Sequence, residues 1–250
     1  MPTLILSPRY SDDSIALRRA AIALGWDVMR LASWRCPEDF EPEEPVLYGE
    51  PLFNTMVAEQ LELTLIEPPE DFLARLPREY LHRDVGCLTA AEARIFPGPV
   101  FLKPPNHKTF PARVYASGAA LPEMPEDDPV LVSEPVQWVA EFRFFVRDRR
   151  VRAWSPYWLH GALARRDDEW IVDPDSLATA RGLVDRLLAD HRVGIPAALV
   201  LDAGVIRDVG PAVVEANAAS CAGIYGCDPR HVLEVLRAAT IQTGATERLA

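Results

Sequence analysis

The chain has 250 residues, of which 49% are hydrophobic and 25% are charged, and its formal net charge is −11. This composition is typical of a globular protein with one large domain or two smaller ones. The acidic balance argues against a general nucleic-acid binder. No stretch approaches the roughly 18 uncharged apolar residues that a membrane-spanning helix requires, and the N-terminal segment becomes polar too early for a secretory signal. We therefore expect a cytoplasmic protein that does not act in a membrane.

The first third of the chain alternates strand and helix patterns. Short apolar runs predict strands over residues 3–6, 26–31, 46–48 and 63–66. A helix is predicted between the first two runs, with Ser11 as its N-cap and Gly25 at its end, and a second helix is predicted over residues 52–61. These elements indicate a small α/β layer. Residues 68–99 carry short helical patterns, and we expect them to join two lobes.

After residue 100 the apolar runs follow one another without long helices between them. Strands are predicted over residues 100–103, 112–116, 130–136, 141–146 and 150–154. Their short connections favour antiparallel sheet. A helix that opens at Asp173 and Pro174 precedes two further strands, over residues 197–202 and 212–216, and a last helix begins with Asp228 as its N-cap.

Three oxygen-bearing side chains lie at the ends of the last two predicted strands. Asp202 ends the run AALVLD, and Glu215 and Asn217 lie in VVEAN. Residues two apart share a strand face, and a returning strand can bring Asp202 beside the other two. Mg²⁺ prefers such oxygens and takes its remaining ligands from phosphates. The trio therefore predicts a Mg²⁺ site, and the alternative is that acids at strand ends simply face water.

The segment EFRFFV places two charges on one face of an apolar strand. Glu141, Arg143 and Phe145 alternate with residues of the opposite face. The charges form either an ion pair on a solvated face or the lining of a cleft in which the arginine binds phosphate. The sequence leaves both interpretations open at this point.

Two lysines suggest phosphate contacts. Lys103 ends the apolar run VFLK and is thereby tethered to a rigid strand, whereas Lys108 lies in a short loop, where a solvated lysine is the usual case. The chain contains neither G-x-x-x-x-G-K-[ST] nor G-x-G-x-x-G. P-loop and Rossmann sites are therefore not predicted.

Taken in order, VFLKP, LVSEPV, EFR, LVLDAG and VVEAN resemble the ATP-grasp superfamily, whose members include D-alanine-D-alanine ligase and glutathione synthetase. The resemblance covers about residues 95–225, and it fits the branch marked by one arginine and two lysines, here Arg143, Lys103 and Lys108. It implies an α+β fold of the ATP-grasp type. A small N-terminal α/β domain would occupy residues 1–88, and a two-lobed ATP-clamping domain with antiparallel sheets would occupy residues 89–250.

The resemblance also implies how ATP would be held. Lys103 would contact the α- and β-phosphates. The segment LVSEPV would be a hinge that holds adenine through Glu134 and the backbone near Val136, and Glu141 would bind the ribose hydroxyls. The loop over the phosphates would be PPNHKT, which lacks the glycines common in the family, so that Lys108 would replace backbone donors.

The remaining implied roles concern catalysis and the metal. Arg143 and Lys108 would neutralise the γ-phosphate during its transfer, while Asp202, Glu215 and Asn217 would hold Mg²⁺ on the phosphates. Such a site positions and neutralises phosphoryl groups and does little covalent chemistry itself. The family's reaction makes an acyl phosphate from a carboxylate, which an amine or a thiol then captures with release of ADP and phosphate.

The substrates implied by the resemblance are small-molecule or peptide carboxylates and amines, and a homodimer is compatible with it. Ser220 and Tyr225 are candidate substrate contacts, against a plain glycine-containing turn at that position. His107 and His160 are each more typical of surface groups. One rival hypothesis is a catalytically weak nucleotide-binding module that acts through a protein partner. Another is an unrelated Mg²⁺-dependent phosphohydrolase, which would leave LVSEPV unexplained.

Overall fold

A computed structural model describes residues 1–106 and 109–243 of the chain. The helices in these ranges are α1 (Asp12–Ala23), α2 (Pro51–Gln60), α3 (Phe72–Arg75), α4 (Arg78–Leu81), α5 (Ala90–Arg94), α6 (Pro174–Ala189) and α7 (Pro229–Leu236). The strands are β1 (Pro2–Leu6), β2 (Asp27–Arg30), β3 (Glu44–Tyr48), β4 (Leu63–Leu65), β5 (Val85–Thr89), β6 (Val100–Lys103), β7 (Arg113–Tyr115), β8 (Pro129–Ser133), β9 (Trp138–Arg147), β10 (Arg150–Leu159), β11 (Ala162–Leu163), β12 (Arg165–Arg166), β13 (Glu169–Trp170), β14 (Ala198–Ile206), β15 (Gly210–Asn217) and β16 (Thr240–Gln242). None of these helices has the length and apolar character needed to cross a membrane.

The N-terminal lobe is a parallel three-stranded sheet in the order β2-β1-β3. Helix α1 begins as predicted, because a capping box forms at its start. The Ser11 side chain accepts a hydrogen bond from the amide of Ser14, and the Ser14 side chain accepts one from the amide of Ser11. The predicted strand over residues 63–66 is present as β4, but it pairs with β16 rather than with the N-terminal sheet. That partner lies far along the chain, where no local pattern could indicate the pairing.

The second sheet has four strands in the antiparallel order β5-β8-β6-β7. Strand β5 was not predicted, since VGCLT is short and contains a glycine, and only its pairing with β8 defines it. The predicted domain boundary between residues 88 and 89 lies inside β5, and β16 pairs back with β4. The division into residues 1–88 and 89–250 therefore stays a prediction.

The third sheet has five antiparallel strands in the order β11-β10-β9-β14-β15. Its two faces belong to different cores. Phe142 and Phe144 pack with α6 on one face, whereas Phe145 packs with α7 and the N-terminal lobe on the other. The alternation predicted for EFRFFV is thereby confirmed. The observed architecture is α+β, with antiparallel sheets and a small parallel N-terminal lobe, and it confirms the predicted fold class.

Residues 134–137 connect the four-stranded sheet to the five-stranded sheet. Strand β8 ends at Ser133 rather than at the predicted residue 136, because Pro135 has no amide proton to continue the ladder. The chain then re-enters extended structure at Trp138, the first residue of β9. The connection lies where the resemblance expected a hinge.

Candidate functional site

The register of the five-stranded sheet brings the predicted charged residues together. Asp202 on β14 is paired with Arg143 on β9 and with Glu215 on β15. The Arg143 guanidinium donates two hydrogen bonds to the Asp202 carboxylate, from Nε to Oδ1 at 2.9 Å and from Nη2 to Oδ2 at 2.6 Å. Arg143 is 6% exposed and Asp202 is 0% exposed. The solvated-face alternatives for Arg143 and Asp202 are therefore wrong.

A second ion pair crosses from the four-stranded sheet to the five-stranded sheet. Lys103 Nζ, at the end of β6, lies 2.6 Å from Glu215 Oε2. The other carboxylate oxygen of Glu215 accepts a hydrogen bond from Asn217 Nδ2 at 3.0 Å and lies 3.8 Å from Arg143 Nη2. Two cations and two carboxylates thus neutralise one another where the sheets meet. We call Lys103, Arg143, Asp202, Glu215 and Asn217 the charged cluster.

The cluster controls the ionisation of its carboxylates. Burial raises the pKa of Glu215, but Lys103, Asn217 and Arg143 favour the ionised form more strongly and lower that pKa to about 2. Burial raises the pKa of Asp202 to about 6 against the opposing effect of Arg143. The ion pairs with Lys103 and Arg143 favour the ionised forms of Glu215 and Asp202, which is the state that a cation ligand requires.

Glu141 lies two residues before Arg143 on the same face and is 9% exposed. Burial raises its pKa to about 7, against a hydrogen bond that the hydroxyl of Tyr157 donates to Oε2. Tyr157 was not predicted as a site residue, because it follows the predicted end of its strand at residue 154. Strand β10 in fact continues to Leu159.

Tyr157 and Tyr225 form an aromatic wall beside the charged cluster. Their rings are stacked with centroids 5.2 Å apart, and Trp170 meets Tyr225 edge-on at 5.7 Å. The Arg143 guanidinium lies 4.8 Å from the centroid of Tyr225, a cation–π contact. Tyr225 has a φ of 48°, which bulky residues rarely adopt, so its surroundings fix its position. A substrate contact of Tyr225 stays a prediction.

The loop that carries Tyr225 is anchored to the N-terminal lobe. Asp13 Oδ2, in the first turn of α1, accepts a hydrogen bond from the amide of Ile224 at 3.0 Å. The Ser220 carbonyl accepts one from Asn54 Nδ2 at 2.9 Å. Ser220 is only 1% exposed, and this burial argues against the predicted substrate contact for its side chain. These two hydrogen bonds fix the loop against the N-terminal lobe.

Three of the remaining predicted residues, Glu134, Val136 and His160, are described by the structure and are not members of the charged cluster. Glu134 and Val136 are in the connection between the sheets, and the exposed Glu134 side chain accepts a hydrogen bond from the amide of Asp84 at 2.9 Å. Their predicted contact with adenine stays a prediction. Lys108 and His107 lie outside the described residues. His160 is exposed in the turn after β10, as expected for a surface group.

The described residues contain no group of three or more His, Cys, Asp or Glu side chains placed to hold a metal ion. The predicted Mg²⁺ set has only two carboxylates, Asp202 and Glu215, with the amide of Asn217 as its third member. Such a set fits Mg²⁺ only if phosphate oxygens and water complete the coordination, which is the usual arrangement for this ion. The Mg²⁺ site at Asp202, Glu215 and Asn217 therefore stays a prediction, with a donor set that is chemically compatible with Mg²⁺ bound to phosphate.

Comparison with known proteins supports the architecture. A family model for an ATP-grasp domain, family 2 of the clade named for one arginine and two lysines, matches residues 80–235. The chain is similar in structure to an ATP-grasp RimK domain protein from Sphaerobacter thermophilus DSM 20745, with 15% identity, a TM-score of 0.53 and coverage of 95% of this chain and 98% of that one.

Two further solved structures show the same likeness. D-cycloserine synthetase DcsG has 13% identity, a TM-score of 0.56 and coverage of 100% of both chains. The ATP-grasp ligase PsnB in complex with a minimal precursor has 13% identity, a TM-score of 0.52 and coverage of 93% of this chain and 97% of that one. At such identities the likeness shows the fold alone. No curated protein matches the chain.

Proposed function

The chain belongs to the ATP-grasp superfamily, in family 2 of the clade named for one arginine and two lysines, and from this premise we propose that it is an ATP- and Mg²⁺-dependent ligase that joins a carboxylate to an amine. The observation that carries the proposal is the charged cluster itself. Strands of two different sheets deliver Lys103, Arg143, Asp202, Glu215 and Asn217 to one place. A purely structural sheet contact has no need for two carboxylates and two cations at its centre, because burying charges is costly.

Each member of the cluster has a proposed task. Lys103 exchanges Glu215 for the α- and β-phosphates of ATP, and Arg143 faces the γ-phosphate. Asp202, Glu215 and Asn217 hold Mg²⁺, which neutralises the phosphate oxygens when it is bound. Lys108 would add a further positive charge to the phosphates, and Glu141 would bind the ribose hydroxyls. The protein thereby orients the nucleotide and stabilises the charge of the transferring group.

The proposed reaction has two steps. An oxygen of the substrate carboxylate attacks the γ-phosphorus, the bond to the β,γ-bridging oxygen breaks, and ADP leaves an acyl phosphate behind. The nitrogen of an amine then attacks the acyl carbon and phosphate departs with its bonding electrons, while the amine proton is released. A thiol is a second acceptor class. The aromatic wall and the anchored loop around Tyr225 form the side of the site on which these substrates would bind.

Calorimetric titration tests the proposal. Purified protein is titrated with a slowly hydrolysed ATP analogue, with and without Mg²⁺. We expect Mg²⁺-dependent binding that Glu215→Gln abolishes, while Glu59→Gln, an exposed glutamate outside the site, binds like the wild type. No binding to folded wild-type protein, or full binding and turnover by Glu215→Gln, would refute the assignment.

The alternative function is a nucleotide-binding module with weak catalysis that acts through a protein partner. The observation that favours it is the segment PPNHKT, which lacks the glycines of a phosphate-covering loop. Release of ADP separates the two functions. Pools of small carboxylates with amines, and of peptides with amines, are incubated with protein and Mg²⁺-ATP. Substrate-dependent ADP release supports the ligase, whereas nucleotide binding without ADP release in any pool supports the module.

A further inference from the structure

Arg83 is a buried cation between α4 and β5, and it is 6% exposed. Within the described residues, none of the ion pairs includes it. Its guanidinium instead donates to four oxygens of the chain: Ser133 Oγ at 3.2 Å from Nε, the carbonyls of Leu81 at 3.1 Å and Val213 at 2.8 Å from Nη1, and the carbonyl of Val214 at 3.3 Å from Nη2. A charge is costly to bury in this way.

One of these four contacts, with Ser133, and a further contact with the ring of Trp138 lie at the connection between the sheets. Ser133 is the last residue of β8, and its hydroxyl also donates to the carbonyl of Glu134 at 3.1 Å. Trp138 is the first residue of β9, and the Arg83 guanidinium lies 5.2 Å from its ring centroid. Arg83 therefore contacts both ends of residues 134–137. The next residue, Asp84, exchanges hydrogen bonds with Glu134 through its amide and its carbonyl.

Two more of the four contacts lie on β15, directly before a member of the charged cluster, and the fourth is with Leu81 at the end of α4. The carbonyls of Val213 and Val214 precede Glu215, whose side chain pairs with Lys103. One planar group thus ties the hinge connection to the strand that presents a proposed metal ligand. Only arginine has five N–H donors in a fixed fork that can reach oxygens in several directions.

Stability alone does not explain an arginine at this position. A methionine of similar length would fill the space without the cost of burying a charge whose hydrogen bonds all go to neutral oxygens. What a methionine could not do is hold Ser133 and two carbonyls of β15 in fixed relative positions. The contacts are therefore those of a residue that sets geometry.

We infer that Arg83 is a positioning residue, which fixes the hinge at residues 134–137 and the strand of Glu215 relative to each other so that the nucleotide site is formed in advance. This inference rests on the proposed function. Arg83 does not contact the members of the charged cluster through any of its hydrogen bonds; it acts through the backbone that carries them.

The chain offers a matched control in Arg149, which lies in the turn between β9 and β10. Its Nη1 donates to the carbonyls of Leu188 at 3.0 Å and Asp190 at 3.2 Å, at the end of α6 and away from the hinge. Arg149→Met therefore removes similar bonds to carbonyls without touching the connection between the sheets. Thermal unfolding of each variant shows how much stability each substitution costs.

The first readout is the affinity for a slowly hydrolysed ATP analogue with Mg²⁺, measured at a temperature at which every variant is folded. We expect Arg83→Met to weaken binding about 10- to 100-fold, Arg83→Lys to weaken it less, and Arg149→Met to stay within about twofold of the wild type. Wild-type affinity in Arg83→Met, or equal weakening in Arg149→Met, overturns the inference. If Arg83→Met does not fold, Arg83→Lys carries the test, and wild-type affinity in that variant overturns it.

The second readout needs no ligand. Hydrogen exchange is followed at the amide of Glu134, which donates to Asp84, and at the amide of Arg207, which donates to Gln137. We expect both amides to exchange faster in Arg83→Met than in the wild type and to be unchanged in Arg149→Met. Unchanged exchange in Arg83→Met overturns the inference. Wild-type protein that binds no nucleotide refutes the proposed function, and the exchange result then decides the role of Arg83 by itself.

Discussion

Lys103 on β6 and Glu215 on β15 form an ion pair across the boundary between two sheets, with 2.6 Å between Nζ and Oε2. The lysine is 13% exposed and the glutamate 29% exposed in their side chains, so solvent screens the pair only partly. One partner is a proposed phosphate contact and the other a proposed metal ligand. In this structure each of the two neutralises the charge of the other.

This pairing predicts opposite effects of Lys103→Met on two ligands. Mg²⁺ alone must compete with Lys103 for Glu215, so removal of the cation should strengthen Mg²⁺ binding in the absence of nucleotide. The same substitution should weaken binding of the Mg²⁺–nucleotide complex, because a phosphate contact is lost. Both affinities are measured by calorimetry, with Arg75→Met as a surface control. Parallel changes of the two affinities would contradict this account.

The Arg143–Asp202 pair predicts a strong effect on stability. Arg143→Met would leave the Asp202 carboxylate fully buried without its bidentate partner. Breaking such a pair from one side costs about 3–5 kcal/mol of unfolding free energy. Arg143→Met combined with Asp202→Asn should recover part of that loss, since the buried charge is then removed. Urea denaturation of both single variants and the double variant measures the coupling, and simple additivity would exclude it.

The strand faces at this site could be predicted from sequence because they depend on local alternation. Glu141 and Arg143 lie on one face and Phe142 and Phe144 on the other, as the pattern EFRFFV indicates. The pairing of Asp202 with Glu215 followed from a short turn between two apolar runs. Such features involve residues that are close in the sequence.

Features that join distant parts of the chain could not be predicted. The pairing of β4 with β16 and the inclusion of β5 in the second sheet have no local signature. The contacts of Arg83 with β15 have no local signature either, because these partners are up to 131 residues away. Tyr157 was missed because β10 continues beyond the predicted strand end at residue 154. Only the folded arrangement identifies those partners.

The buried carboxyl group of Glu141 should make the unfolding free energy of the protein depend on pH. Its pKa rises from 4.5 to about 7 on folding, so the folded state holds the proton more tightly than the unfolded state. The associated stability is fully present below pH 4.5 and is lost as the pH rises through 7. The shift corresponds to about 3 kcal/mol.

The test compares the wild type with Glu141→Gln, which cannot ionise. The unfolding free energy of Glu141→Gln minus that of the wild type should increase between about pH 5 and about pH 8. Taking this difference cancels the contributions of titratable groups that do not interact with Glu141. A difference that stays constant over that range would show that Glu141 does not titrate as its burial requires.

A pair of glycines gives the last prediction, because alanine should have opposite effects at the two positions. Gly204 on β14 faces Glu141 on β9, and a Cβ there would lie 2.4 Å from the carbonyl oxygen of Ala140. Gly204→Ala must therefore push the strands apart, at a cost of about 1–3 kcal/mol. It should also weaken nucleotide binding, since Asp202 lies two residues earlier on the displaced strand.

Gly182 lies inside helix α6, where the nearest atom to an added Cβ is Arg186 Nη1 at 3.7 Å. Gly182→Ala should stabilise the protein by about 0.5–1 kcal/mol, because alanine loses less backbone entropy in a helix than glycine. Thermal unfolding of the two variants, followed by nucleotide titration, checks both directions. If Gly204→Ala unfolds at the same temperature as Gly182→Ala and binds nucleotide equally well, the close approach of β14 to β9 does not define the position of Asp202.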